Sequence, residues 1–150
     1  MEQTLIVLKP DTVQRGLVGQ AIQRFEDKGL QIAAIKMIQL NMTRARRMYS
    51  VHKGKDFYEK LLSFITSGPV VAMVLRGQSA IQVARGLMGS TDAAQAQPGT
   101  IRGDWGLSRR LNLIHGSDSE ASARREIPIF FRSEEICKYS SDQDRWVYGQ

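Results

Sequence analysis

The chain has 150 residues, 42% of them hydrophobic, which is enough for one domain, residues 1–150, with a single core. Its 21 Lys and Arg against 15 Asp and Glu give a net charge of +6, which favours phosphate-bearing partners without distinguishing nucleotides, nucleic acid or an anionic membrane surface. The lone Cys137 excludes an intramolecular disulfide and no apolar run is long enough for a signal peptide or a membrane span, so a cytoplasmic protein without a membrane partner is expected.

The first part of the chain predicts a strand, a helix and a second strand. Residues 5–8 are all apolar, as in a central strand, and Lys9 and Pro10 follow them because proline cannot continue a sheet ladder. Residues 18–28 have helical apolar spacing and end at Gly29, a frequent helix terminator. Residues 32–40 predict the second strand, with a less regular pattern.

The middle of the chain continues with helices, a strand and a helix. Residues 43–66 have a helical pattern in two pieces, interrupted at 53–55, and residues 70–75 predict a third strand after a Ser-Gly-Pro turn. The next helix carries an apolar stripe formed by Ala80, Val83, Ala84 and Leu87. Residues 89–111 show no periodicity, and so long a loop in a compact domain is usually functional.

The last elements are a short strand and a helix. Residues 111–114 predict the strand, and Ser117 with Glu120 has the spacing of a capping box that starts a helix ending before Pro128. The whole order predicts an α+β sandwich with helices over one small sheet. Local pattern leaves the order of the strands open.

His115 stands between the apolar run and a Gly-Ser-Asp-Ser segment, which is an unusual place for one of only two histidines. Gly116 permits close approach of another group, and a helix start supplies free N–H groups suited to phosphate. An imidazole is partly neutral at physiological pH and can attack phosphorus without a separate base. A hydrogen-bonded structural histidine at a strand end is the alternative, and spacing alone does not decide between them.

Phosphoryl transfer needs positive charge around the migrating group. The best-placed cations are Lys9 at a strand end, Arg85 beside an apolar helix face and Arg102 in the long loop, although each alone also fits an ordinary surface charge. No GxxxxGK[ST] or GxGxxG segment occurs, so a P-loop and the usual protein-kinase and dinucleotide fingerprints are excluded.

A resemblance decides what these residues imply. The octapeptide NLIHGSDS at residues 112–119 resembles the active-site signature of the nucleoside diphosphate kinases, with His115 at the phosphorylated position. The resemblance also covers IVLKPD at 6–11, QRGLVG at 14–19, SGPVVAMV at 67–74 and PGTIRGD at 98–104. It implies a ferredoxin-like α+β sandwich whose four-stranded antiparallel sheet is covered by helices. It further implies ping-pong transfer of the terminal phosphate from nucleoside triphosphates to diphosphates, with Mg²⁺ as cofactor. This reaction maintains nucleoside triphosphate pools.

The same resemblance assigns nucleotide-binding roles. It implies that Lys9 contacts the phosphates and the sugar hydroxyl and that Asn112 also reaches the sugar. Phe57 would stack on the base, a contact that every base can make, so broad base tolerance is expected. The residues that would hold the phosphate chain are Arg85, Thr91 and Arg102.

The catalytic roles are likewise implied by the resemblance. Tyr49 would place its hydroxyl near the phosphates, and Ser117 and Glu126 would orient His115. Asp118 would meet Mg²⁺ through water rather than directly. From the residues alone, the favoured interpretation of Glu126 is a solvated charge late in a helix.

Departures from the family pattern bear on assembly and base preference. Residues 91–94 read TDAA where the family often has TNPA, so a loop proline that packs at subunit contacts is missing. Arg109 falls near a position that is often apolar and close to the base. The tail at 144–148 carries two aromatics and resembles the C-termini of hexameric members, which favours a homohexamer, with a homotetramer as the alternative.

Two other functional interpretations remain. A single-stranded nucleic acid could bind a basic stretch in which Tyr49 and Phe57 act as stacking platforms. The cations of that stretch are Arg44, Arg46, Arg47, Lys53 and Lys55. An interaction module that keeps the fold without activity would have lost a site residue, and no such loss is visible. His52, in a polar stretch, is expected to be solvated.

Overall fold

The computed structural model describes residues 1–149 and contains one four-stranded antiparallel sheet in the order β2-β3-β1-β4. The strands are β1 Glu2–Leu8, β2 Gln31–Ile38, β3 Val70–Gly77 and β4 Ile114–Gly116. The helices are α1 Pro10–Gln14, α2 Val18–Lys28, α3 Met42–Met48, α4 Tyr58–Ile65, α5 Ala80–Met88, α6 Ile101–Trp105, α7 Glu120–Phe130 and α8 Asp144–Val147. Short 3₁₀ turns are Ser50–His52, Ala93–Gln95 and Ser133–Glu135.

The central strand β1 separates two hydrophobic clusters. Leu5 and Val7 point to the face covered by α3, α4 and α7, whereas Ile6 and Leu8 point to the face covered by α2 and α5, because side chains alternate along a strand. All four are fully buried. The α+β class and the ferredoxin-like arrangement of a four-stranded antiparallel sheet covered by helices are therefore confirmed.

Several predicted boundaries are confirmed. The helix predicted over 18–28 matches α2, and Gly29 ends it with a left-handed φ of 102°. Strand β1 ends at Leu8, and Pro10 occupies the first turn of α1, where a missing N–H is tolerated. The predicted break at 53–55 separates the turn Ser50–His52 from α4.

Other predictions at the C-terminal end were wrong. The strand predicted at 111–114 is β4, Ile114–Gly116, because Leu113 has a left-handed φ of 74° that no strand accommodates. The N-cap of α7 is Ser119, whose side chain accepts from the N–H of Ser122. Ser117 is buried instead of capping the helix.

Two further segments differ from their predictions. Helix α7 continues through Pro128 to Phe130, because the proline lies on its exposed side while Ile127 and Ile129 pack inward. The long loop contains α6, whose N-cap Thr100 accepts from the N–H of Gly103. Within residues 1–149, no helix combines the length and apolar character needed to cross a membrane.

The C-terminal tail docks on its own chain. The Tyr148 hydroxyl donates to the Gly29 carbonyl oxygen at 3.3 Å, and Val147 packs against Gly29 so closely that a Cβ there would lie 2.5 Å from it. Of the two tail aromatics, Trp146 is the one that is largely exposed, at 79%. Its indole is therefore open to a neighbouring molecule.

Candidate active site

His115 lies in β4, paired with Val7 of β1, and is only partly exposed. Its Nε2 is 2.6 Å from Oε1 of Glu126. Because a carboxylate only accepts, Nε2 carries the proton of the neutral ring and the lone pair resides on Nδ1. The ring of Tyr49 meets the imidazole edge-on, with centroids 6.2 Å apart. Glu126 therefore fixes the orientation of the ring and leaves Nδ1 as the nitrogen available to a ligand.

Glu126 is a buried acid on α7, 3% exposed, which excludes the interpretation as a solvated charge. Besides His115, its partners are the Ser117 hydroxyl, which donates to Oε1 at 3.2 Å, and Arg125, whose Nη2 is 3.4 Å from Oε2. The Ser117 hydroxyl also accepts from the N–H of Leu5 at 3.2 Å. These bonds satisfy a carboxylate that burial would otherwise destabilise. Ser117, Glu126 and His115 are thus linked by hydrogen bonds.

Lys9 follows β1 and is 6% exposed. Its Nζ donates to Oδ1 of Asn112 at 2.8 Å, and Asn112 in turn donates to the carbonyl oxygen of Thr91 at 3.0 Å. Burial and the positive charge of Arg102 lower the pKa of Lys9 to about 8, while Asp11 opposes the shift. Lys9 is thus a buried cation whose charge is lost in mildly alkaline solution.

Arg102 is buried on α6 and donates to three backbone carbonyl groups. Its Nε donates to the carbonyl oxygen of Asn112 at 3.1 Å, Nη1 to that of Gly89 at 2.9 Å and Nη2 to that of Ile114 at 2.6 Å. Burial and the neighbouring Arg85 lower the pKa of Arg102 to about 10, so it stays charged at neutral pH. The guanidinium has five N–H donors, and those not used here remain for a ligand.

Arg85 lies exposed on α5 and reaches the strand that carries His115. Its Nη1 donates to the carbonyl oxygen of Gly116 at 3.2 Å. A Cβ at Gly116 would lie 2.6 Å from Sδ of Met88 on α5, so any other residue would push that side chain aside. The group whose approach Gly116 permits is therefore α5.

Phe57 is 48% exposed at the rim and forms a small cluster that the sequence did not predict. The ring of His52 is 5.3 Å from that of Phe57 and 6.2 Å from that of Tyr49. Lys55 donates through Nζ to Nδ1 of His52 at 3.0 Å. Burial and the Lys55 charge lower the pKa of His52, and its side chain, expected to be solvated, is only partly exposed because the ring packs against Phe57 and Tyr49. The only sequence signal for this cluster was that aromatic and basic residues lie close to His52 along the chain.

Tyr49 is 5% exposed, and burial raises its pKa, which keeps the hydroxyl protonated. That hydroxyl has no hydrogen-bond partner among residues 1–149. A buried unpaired hydroxyl is unfavourable and is satisfied by a polar ligand atom. Because Tyr49 is buried, it cannot act as an open stacking platform for a single-stranded nucleic acid.

Asp118 is an exposed carboxylate in the segment between β4 and α7. Its Oδ1 accepts from the Ser122 hydroxyl at 2.5 Å, which lowers the pKa of Asp118 and keeps it ionised. Nowhere in the described part of the chain do three His, Cys, Asp or Glu side chains form a metal cage. One exposed carboxylate fits Mg²⁺, which keeps most of its waters and binds mainly through nucleotide phosphates.

Together these groups suit phosphoryl transfer. His115 lies in a strand whose neighbouring cations are Lys9, Arg85 and Arg102. Phosphoryl transfer depends on placing such a nucleophile and such positive charge around phosphorus. Thr91 is exposed, and the structure uses only its carbonyl oxygen, so its side chain is free for a ligand.

Comparisons with known proteins point the same way. The sequence model of the nucleoside diphosphate kinase family matches residues 2–136. The nucleoside diphosphate kinase of Pelotomaculum thermopropionicum is 53% identical over 148 residues, which are 99% of each chain. That of Thermomicrobium roseum is 52% identical over 149 residues, 99% of this chain and 100% of that protein.

Solved structures show the same likeness. A halophilic nucleoside diphosphate kinase from Halobacterium salinarum, in complex with CDP, has a TM-score of 0.96 at 47% identity over 98% of both chains. A nucleoside diphosphate kinase family protein from Babesia bovis has a TM-score of 0.95 at 40% identity, over 99% of this chain and 100% of that one. Sequence and fold are thus similar over nearly the full length.

Proposed function

Because the chain belongs to the nucleoside diphosphate kinase family, we propose that its residues 1–150 form one kinase domain acting through a phosphorylated His115. The enzyme transfers the terminal phosphate of a nucleoside triphosphate to a nucleoside diphosphate by a ping-pong mechanism, and so maintains nucleoside triphosphate pools. The observation that carries the assignment of His115 is the bond from its Nε2 to buried Glu126, at 2.6 Å. That bond leaves Nδ1 as the nucleophile.

The transfer proceeds in two half-reactions. The Nδ1 lone pair of His115 attacks the terminal phosphorus, a N–P bond forms, and the P–O bond to the departing diphosphate breaks. Nε2 keeps its proton, and the positive charge that develops on the ring is stabilised by Glu126. An oxygen of a second diphosphate then attacks the phosphorus, an O–P bond forms, and the N–P bond breaks with its electron pair returning to Nδ1. No separate base is needed, because the reacting nitrogen is already unprotonated.

The binding roles proposed here are those that the family resemblance implies, and the contacts of these residues support them. Lys9 and Asn112 contact the phosphates and the sugar, and the phosphate chain is held by Arg85, Thr91 and Arg102. The Tyr49 hydroxyl, unpaired in the described residues, donates to a phosphate oxygen. Phe57, about half exposed, stacks on the base without selecting among bases. The Halobacterium relative bound to CDP supports a nucleoside diphosphate as ligand.

Members of this family use divalent cations, and we take Mg²⁺ as the ion for this chain. The ion neutralises charge on the nucleotide phosphates, and Asp118 meets it through water. We place the enzyme in the reducing cytoplasm, in keeping with its lone, exposed Cys137. We favour a homohexamer over a homotetramer, because the tail at 144–148 resembles the C-termini of hexameric members; its exposed Trp146 suits a subunit contact.

The proposed activity is tested with γ-labelled ATP and one unlabelled diphosphate at a time. With Mg²⁺ present, GDP, UDP and CDP should each become labelled triphosphates, and EDTA should stop the transfer. Folded protein that transfers no label would overturn the assignment. Salt-sensitive binding to single-stranded nucleic acid, unaffected by His115→Ala, would then favour the nucleic-acid alternative, although buried Tyr49 removes one of its two stacking platforms.

Nucleotide affinity should weaken as the pH rises through about 8. In the free enzyme Lys9 is protonated below its pKa of about 8 and neutral above it, whereas a bound phosphate favours the protonated form. The dissociation constant should therefore be flat below this pKa and rise toward about tenfold per pH unit above it. Isothermal titration of the diphosphate across this range measures the slope.

The control for this prediction is Lys9→Met, which should bind weakly and without the alkaline slope. Titration of Lys9 cannot weaken binding by unfolding the protein at alkaline pH. The reason is that the pKa of Lys9 in the folded protein lies below its unfolded value of about 10.4. Between these two values the unfolded state binds more protons, so the Lys9 contribution to stability rises with pH. A wild-type affinity that stays constant up to pH 10 would contradict the role of Lys9.

Glu126→Ala should slow phosphorylation of His115 by about 10²-fold, because the ring loses the acceptor that fixes its orientation and its Nε2–H tautomer. Glu126→Gln keeps an oxygen that accepts from Nε2 and should retain more of the rate. Rapid-quench measurement of phosphoenzyme formation with ATP distinguishes the two. Equal rates in wild type and Glu126→Ala would show that Glu126 does not position the nucleophile.

A further inference from the structure

The peptide before β4 adopts a conformation that L-residues rarely take. Leu113 has φ 74°, and the N–H of Ile114 donates to the carbonyl oxygen of Asn112 at 2.8 Å, closing a three-residue turn around Leu113. Leu113 is fully buried. A strained turn of this kind persists only where its surroundings hold it. It lies between Asn112 and His115, two residues of the proposed nucleotide site.

Three groups from the segment after β1 hold the turn. The N–H of Leu113 donates to Oδ2 of Asp11 at 3.0 Å. The carbonyl oxygen of Leu113 accepts from the N–H of Lys9 at 2.9 Å and from the Thr12 hydroxyl at 2.6 Å. Of these, only the carboxylate of Asp11 receives the Leu113 N–H. Without it, a buried donor would be left unpaired in an already strained turn.

Asp11 does more than an acid in the first turn of a helix requires. Acidic residues there favour the positive helix end, but α1 has only five residues and the carboxylate is bonded to a chain segment 102 positions away. Its Oδ1 is buried without a partner in residues 1–149. Its charge also acts on the neighbouring Lys9, where it opposes the lowering of the Lys9 pKa by burial and by Arg102.

We propose that Asp11 is a positioning residue for phosphoryl transfer, whose Oδ2 fixes the left-handed turn at Leu113 and thereby places Asn112 and His115 relative to Lys9. The proposal rests on the proposed function, since it concerns the same site. Arg102 donates to the carbonyl groups of Asn112 and Ile114, the residues on either side of Leu113. Asp11 holds the central N–H, which no backbone partner takes up.

A crossed set of variants separates the hydrogen bond from the charge. Asp11→Ala removes both, Asp11→Asn keeps an oxygen that accepts from the Leu113 N–H without the charge, and Asp11→Glu keeps the charge on a side chain one methylene too long. Asp27→Ala, an exposed acid on α2, is the control. Rates of phosphoenzyme formation with Mg²⁺-ATP are measured at a temperature where circular dichroism shows each variant folded.

Asp11→Ala and Asp11→Glu should form phosphoenzyme about 10²-fold more slowly, because a small displacement of the nucleophile has effects of that size. Asp11→Asn and Asp27→Ala should stay within about tenfold of the wild type. The pH profile of the rate of phosphoenzyme formation is a further readout. It would not change if Asp11 only stabilised the fold. The alkaline limb set by Lys9 should move to lower pH in the Ala and Asn variants and stay in place in Asp11→Glu.

Each outcome decides the proposal. Wild-type rates in folded Asp11→Ala or Asp11→Glu would overturn it, as would an Asp11→Asn variant as slow as Asp11→Ala. If Asp11→Ala does not fold, the opposite behaviour of the Asn and Glu variants is still required. Failure of the proposed function is separate, because wild-type protein would then form no phosphoenzyme at all.

Discussion

Replacing His115 with alanine is expected to abolish phosphoenzyme formation and to reduce phosphate exchange by at least about 10⁴-fold, because the covalent route is lost and no other group replaces it. The ring is held by Glu126 at 2.6 Å and contributes little to the core, since it is partly exposed. The fold should therefore survive, and nucleotide binding should change little. Labelling with γ-labelled ATP and titration with a diphosphate measure the two effects separately.

The other histidine supplies the matched control. His52→Ala removes an imidazole that packs against Phe57, so its nucleotide affinity is free to change while the phosphohistidine should still form. A His115→Ala protein that retains labelling would place the phosphate elsewhere on the chain. Labelling lost in both variants would implicate folding rather than the nucleophile.

Arg102→Ala is expected to lower stability by about 3–5 kcal/mol as well as activity. Three backbone carbonyl groups accept from this guanidinium in a buried position, and each lost bond of this kind costs about 1–3 kcal/mol, not fully additively. For a chain of this size the loss corresponds to a melting temperature lower by about 10 °C. Calorimetric or urea unfolding measures it.

Two variants bracket this prediction. Arg102→Lys keeps a charge but not the planar fork that reaches three carbonyls, so it should lie between the wild type and Arg102→Ala. Arg124→Ala, an exposed arginine of α7, should leave the melting temperature almost unchanged. A wild-type melting temperature in Arg102→Ala would show that water replaces the guanidinium at no loss.

Regular elements with local signals were predictable from the sequence. Helix α2 follows from apolar spacing and from Gly29, and β1 from an unbroken apolar run ending at Pro10. The C-terminal part was less predictable, because its boundaries depend on contacts between distant segments. Leu113 carries no sequence signal for its left-handed φ, which depends on bonds to residues 9–12.

In the candidate site too, some features were predictable from the sequence and others depend on contacts between distant segments. His115 and the cations around it were chosen from residue chemistry and from the family resemblance, and the structure brings them together. The burial of Glu126 was not predictable from charge patterning, since it results from α7 packing against β1 and β4. Ser117 has the sequence pattern of a cap, yet its hydroxyl joins Leu5 to Glu126 because β4 places it against β1.

The central claim is that the bond from Nε2 to Glu126 leaves Nδ1 of His115 to carry the phosphate. Phosphorus-31 NMR of the phosphorylated protein, denatured in alkali to preserve phosphohistidine, shows which ring nitrogen is substituted. We expect a single phosphohistidine at position 115, substituted on Nδ1. Phosphate on Nε2 of His115, on His52, or on no histidine would contradict it.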